Sequence, residues 1–164
     1  GQTVPDRRDS LPKPVMVTQE NIQEKEILGG ILTYPEYRQF VAEEGLPSEY
    51  ISPQMRDMIN AALINDPTPQ SARTPAAQAL ANEAQFMVES SLENLANNDL
   101  ALMRELKKSF YLFKLAGIKK LLQDATTAIK KAESLHDNSA VKQQSQLFAE
   151  LSAQRYALEQ KLQS

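Results

Sequence analysis

Few residues in this chain could do chemistry, and their spacing decides most of what they could do. Among 164 residues there is no cysteine and a single histidine, His136. Disulfides, thiolate metal sites, cysteine nucleophiles and His-based metal clusters are thereby excluded. A chemically active His136 would need a partner, and only Asp137 is near it in sequence. It reads as an exposed, chemically idle residue in a turn. The acidic pairs Glu24/Glu26 and Glu43/Glu44 lie two and one residues apart. On a helix they point to different faces, whereas general acid–base work needs convergent carboxylates, so they read as solvated surface. Gly29-Gly30 sits inside a helical pattern with neither the G-x-x-x-x-G-K-S/T nor the G-x-G-x-x-G spacing. Close helix packing accounts for it better than a phosphate-cradling loop does.

The charges suggest surfaces rather than catalysis. Net charge is −3, so there is no global pull toward nucleic acid. The distribution is uneven: residues 20–57 hold eight acids against three bases, and residues 104–131 hold eight bases against two acids. One acidic and one basic surface are a feature of docking modules. Lys108, Lys119 and Lys130, each eleven residues apart, fall on nearly one line along a helix. They read as a solvated or acid-docking face, because the interleaved aromatics of a nucleic-acid site are missing. An all-α enzyme of the chorismate-mutase kind would need basic residues converging on a dicarboxylate, but the arginines are scattered over linker, loop and separate helices.

The elements that position these residues are helices. All nine prolines lie between Pro5 and Pro75, the last glycine is Gly117, and no alternating Val/Ile/Thr run is bounded by turn signals. The expected fold class is therefore all-α: a helical bundle subdomain, then a long helix and a C-terminal antiparallel hairpin. Gly1 reads as a cloning remnant, and residues 2–17, with three prolines and no periodicity, as the end of an interdomain linker. The bundle is expected over 18–108, sharing the start of the long helix, and the hairpin over 109–164.

Within the bundle, Thr18 caps a first helix with Ile22, Ile27, Leu28, Ile31 and Leu32 on its apolar face. Pro35 opens a second helix with Tyr37, Phe40 and Val41 buried, and Gly45 ends it. Ser52-Pro53 opens a third and Thr74-Pro75 a fourth, which runs to about Ala96. The long helix, Leu100 to Leu135, carries two apolar stripes. Phe110, Phe113, Gly117, Leu121 and Ala128 form one; Tyr111, Leu115, Ile118, Leu122 and Ile129 form the other, roughly 100° away. So wide an apolar arc predicts two neighbours, with Gly117 allowing close approach at the handover. Asp137 caps the final helix, whose stripe is Leu147, Leu151, Leu158 and Leu162 with Arg155 interrupting it; Phe148 is expected in the hairpin core.

The stretch from Gln23 through Gly29-Gly30 to Pro35-Glu36 resembles the opening of the C-terminal helicase-binding domain of bacterial DNA primase. Tyr50-Ile51-Ser52-Pro53 through Ile59 is similar to that family's next landmark. Glu105-Leu106 through Leu121, then Asp137 through Leu147, Leu151 and Leu158, resembles its long helix and terminal hairpin. The resemblance spans about Thr18 to Ser164. It implies a parent chain that makes primers as a DNA-directed RNA polymerase, with zinc binding and synthesis in upstream domains. For this region it implies no catalysis and no cofactor. It also implies a hairpin docked on the N-terminal domains of the hexameric replicative helicase, a bundle that modulates the helicase, and a site for the acidic tail of the single-stranded-DNA-binding protein. Without a signal segment or cysteine, the expected compartment is the cytoplasm. The longest apolar run, Ile27 to Leu32, is too short to span a membrane, and no direct nucleic-acid binding by this region is expected.

Exposure on the predicted hairpin, rather than the resemblance, nominates His136, Arg155, Tyr156, Gln160 and Lys161 as partner-binding residues. Lys108, Lys119 and Lys130 are nominated for the acidic tail or DNA. The alternatives are the N-terminal domain of the helicase itself, which Gly29-Gly30 favours, and a generic helical-hairpin adaptor.

Overall fold

The computed structural model describes residues 19–64, 74–91, 93 and 98–164. The expected linker, the Thr18 cap and the 65–73 loop lie outside the described residues. Among the described residues the fold is all-α, with six helices: α1 (Gln19–Thr33), α2 (Pro35–Glu44), α3 (Pro53–Leu63), α4 (Pro75–Ser91), α5 (Asp99–Ser134) and α6 (Asn138–Gln163). None of them is long and apolar enough to cross a membrane.

Helix α1 is the axis of the bundle and packs on α2, α3, α4 and α5. Its buried residues include Ile27, Leu28 and Ile31, while Ile22 and Leu32, expected on the same face, are exposed. With neighbours on several sides, α1 buries a compact middle rather than one stripe. Gly29 and Gly30 allow this from adjacent faces. A Cβ at Gly29 would collide with the Ala84 carbonyl and meet Val88 of α4 at 2.7 Å, and one at Gly30 would meet the Tyr37 ring of α2 at 2.6 Å.

The helix boundaries follow local chemistry. Pro35, Pro53 and Pro75 each stand at the first position of a helix, where the missing N–H costs nothing. Gly45, at φ 82°, ends α2. Thr74 Oγ1 accepts from the Ala77 N–H at 3.1 Å and caps α4. Its described part runs to Ser91, and the expected end at about Ala96 lies outside the described residues. Ser52 precedes α3 but its hydroxyl does not cap it. Glu24 of α1 takes both its groups instead, accepting from the Ser52 N–H at 3.1 Å and Oγ at 3.3 Å. Glu24 is thus 5% exposed, not the solvated carboxylate expected. A carboxylate can be buried where donors from a neighbouring helix start compensate it.

Helix α5 spans 36 residues, about 54 Å at 1.5 Å per residue. Asn98 caps it by accepting from the Ala101 N–H at 3.1 Å. It serves two cores, although Leu121 of the first expected stripe packs on the second core and Tyr111 of the other stripe packs on both. Leu102, Leu106, Phe110 and Phe113 enter the bundle core, whereas Leu115, Ile118 and Leu122 form a second core with Leu151 and Leu158 of α6. The close approach at Gly117 is not between helices: a Cβ there would collide with the Tyr50 ring, which lies against α5 from the short 3-10 turn Ser48–Tyr50.

The turn into α6 is built from backbone bonds. The His136 N–H donates to the Glu133 carbonyl at 3.1 Å and the Asp137 N–H to the Ala132 carbonyl at 2.9 Å, with His136 at φ 52°. This is a Schellman ending with histidine in the left-handed position. Asp137 then caps α6 through the Ala140 N–H at 3.1 Å. Along α6, Leu151 and Leu158 are buried, but Leu147 and Phe148 are exposed. Phe148 lies beside the two-helix seam, and two helices alone cannot cover it.

Gly117 and Tyr50 generate a test. Gly117→Ala is expected to destabilise the fold by about 1–3 kcal/mol through overpacking. In a Tyr50→Ala background the same change is expected to stabilise it by up to about 1 kcal/mol, the helix preference of Ala over Gly. Urea unfolding of the four proteins of that cycle measures both.

Candidate functional site

The base of the hairpin is fastened to the bundle by a polar cluster at the end of α2. Glu44 accepts from Lys161 Nζ of α6 at 3.0 Å and from the Tyr111 hydroxyl of α5 at 3.1 Å. Lys114 Nζ donates to the Glu44 backbone carbonyl at 3.3 Å, and Lys161 Nζ also stands 5.4 Å from the centre of the Tyr111 ring. Three helices thus meet at one carboxylate. Burial alone would raise the Glu44 pKa, but the bonds from Lys161 and Tyr111 and the charges of Lys161 and Lys114 hold it below the usual value. Tyr111 is pushed up to about 12 by burial, the Glu44 charge and their shared bond. Lys114 is lowered, first by burial and then by Lys161, against the pull of Glu44.

Beneath this cluster Phe40 of α2 packs edge-on to Phe110 and Tyr111, with ring centres 5.5 and 5.6 Å apart. Lys107 lies over Phe40 at 5.3 Å. The cations are therefore held on an aromatic floor as well as by charge.

Two grooves open beside the hairpin. The first, 530 Å³, lies between the start of α5 and the end of α6. Arg104, Lys107, Lys108 and Lys161 line it together with Leu100, Met103 and Leu162, and with the acids Glu36, Asp99 and Glu105. The second, 500 Å³, runs between α5 and α6 farther along the hairpin, past Lys119, Phe148 and Arg155.

The residues nominated from the sequence do not form one site. His136 is exposed at the hairpin turn, about 35 Å along α6 from Lys161. Lys161 belongs to the Glu44 cluster at the opposite end. Arg155, Tyr156 and Gln160 are exposed on α6, with Tyr156 at 65% and Arg155 paired to Glu159 at 3.0 Å. Lys108, Lys119 and Lys130 are all exposed on α5, but Lys108 lines the first groove and Lys119 the second. Sequence reasoning put Glu44 on the solvated surface, Tyr111 on an apolar stripe and Phe148 in the hairpin core, and gave none of them a role in a site. A half-buried Glu44 at the end of α2 had no local signal, since both its side-chain partners come from residues at least 67 positions away. The helical period did place Tyr111 on the α6-facing stripe.

Glu26 behaves oppositely to Glu44. Burial raises its pKa and the Glu105 charge adds to this, against a hydrogen bond with Ser109. Its ionisation therefore costs stability at neutral pH, a cost relieved as pH falls through its raised folded value. Glu26→Gln is expected to raise the melting temperature at pH 7 and to lose that gain in acid. For Glu44 the sign reverses. Its contribution is complete above about pH 4.3, the unfolded value, and is lost as pH falls through the lower folded value. Glu44→Gln or Lys161→Ala is expected to cost about 0.2–1 kcal/mol at pH 7 in low salt, the range of partly exposed ion pairs. Both should also speed amide exchange in the last turns of α6. Thermal melts from pH 7 to 3 and hydrogen exchange check the two carboxylates separately.

Compared with known proteins, the chain matches no family model, no curated protein and no solved structure.

Proposed function

We propose that this chain is a non-catalytic docking module of the type found at the C-terminus of bacterial DNA primase. Its α5–α6 hairpin seats on the N-terminal domains of the hexameric replicative helicase. The bundle modulates the helicase, so that priming stays local to unwound DNA in the cytoplasm. The observation that carries this reading is the hairpin itself. One unbroken helix leaves the bundle, and the returning helix presents Tyr156 and Gln160 outward while burying Leu151 and Leu158. Exposed Tyr on a rigid helix is a residue type that anchors protein contacts. The order of the helices along the chain supports the primase resemblance. The mixed groove at Arg104, Lys107 and Lys108 suits the acidic tail of the single-stranded-DNA-binding protein as a second contact.

A second reading, the N-terminal domain of the helicase itself, is favoured by Gly29-Gly30, which lets α4 and α2 approach α1 closely.

The test is titration of the chain into the hexameric helicase, reading complex mass and ATPase rate. A complex with altered ATPase is expected, and Tyr156→Ala should weaken it about tenfold or more. Absence of a complex at micromolar concentration overturns the reading, and self-assembly of the chain into a ring would favour the second one. Removing α6 is a poorer test than point substitution, because it uncovers Leu115, Ile118 and Leu122.

A further inference from the structure

We infer that the groove between α5 and α6 receives an acidic amphipathic helix from the partner protein, packed as a third helix on the hairpin. The inference rests on the docking function proposed above and names the chemistry of the docked segment.

The groove has two walls of helical period. On α5 these are Lys119, Leu122 and Thr126, at i, i+3 and i+7; on α6 they are Phe148, Ser152 and Arg155, at i, i+4 and i+7. Residues so spaced form ridges, and the trough between two antiparallel ridges is where a third helix packs. The middle of the trough is apolar: Leu122 is nearly buried at its floor, and Phe148 is 39% exposed at its wall. Cations stand at Lys119 and Arg155, and none of the lining residues is acidic. Along the same line of α5, Lys108 and Lys130 extend the positive charge beyond both ends, and both are exposed.

This chemistry selects the occupant. An apolar ridge at i, i+3 or i+4 would cover Phe148 and Leu122, and flanking carboxylates would meet Lys119 and Arg155. Arg155 already pairs with Glu159 at 3.0 Å, but a guanidinium has donors to share with a second carboxylate. A second copy packed groove on groove would bring like charge to like charge. Single-stranded nucleic acid would find one aromatic ring where successive bases need several.

The experiment measures binding of the intact chain to the hexameric replicative helicase by fluorescence anisotropy at 50 to 300 mM salt. Phe148→Ala and Lys119→Glu are each expected to weaken binding at least tenfold, and Lys119→Glu to flatten the salt dependence. Lys142→Glu, on the far side of α6, should leave binding unchanged. All three positions are exposed, so unchanged circular dichroism is expected and separates lost docking from lost folding. A photo-crosslinker placed at Phe148 should attach to a helical, Glu- or Asp-rich segment of the helicase. Wild-type binding that both variants retain overturns the groove and leaves the docking function standing. Absence of wild-type binding overturns the docking function and the groove with it. A crosslink to a non-helical segment overturns the helix as occupant. Binding of a 20-residue oligothymidylate, or self-association, that the same variants abolish reassigns the groove to nucleic acid or to a second copy.

Discussion

Everything in this fold depends on the continuity of α5. A single helix of 36 residues contributes Phe110 and Phe113 to the bundle and Leu115, Ile118 and Leu122 to the hairpin. The two sets lie on stripes roughly 100° apart, so no flexible joint is needed where one core ends and the next begins. The direction in which the hairpin leaves the bundle is therefore fixed by helix geometry, and a turn of α5 on its axis would uncover both cores at once.

The Glu44 cluster has a different weight. Burial of a leucine or isoleucine side chain contributes about 1.5–3 kcal/mol, whereas a partly exposed ion pair contributes about 1 kcal/mol or less. The leucine seam thus holds α6 on α5, and the polar cluster fixes where the end of α6 lies over α2. Glu24 works on a smaller scale in the same way: its two bonds to Ser52 set the start of α3 against α1. In both places a carboxylate supplies direction to elements that apolar burial has already brought together.

A hairpin made of two helices leaves exposed the sides that a third helix would cover. Phe148 shows this directly, being an aromatic residue on the flank of the seam with no helix of the described chain over it. The cations beside it limit what can approach. A surface that is apolar at the centre and positive at the rim favours a segment with the reverse charge over a like-charged one.

By itself the sequence determined the all-α class, the prolines that open α2, α3 and α4, the Asp137 cap and the two stripes of α5. These are local or periodic properties, set by φ restriction, side-chain capping and the repeat of about 3.6 residues per turn. It also determined that Gly29-Gly30 would serve packing, although not that the neighbours would be the Ala84 carbonyl and the Tyr37 ring. Tertiary structure alone decided the fates of the carboxylates. Glu24, Glu26 and Glu44 look alike in sequence, yet one is buried on Ser52, one is destabilised beside Glu105, and one binds Lys161. It also decided that Phe148 flanks the core while Leu151 fills it, and that Lys161 is engaged while Lys119 lines an open groove. The physical reason is the same in each case. A polar or marginal side chain takes its environment from residues distant in the chain, and local pattern carries no record of them.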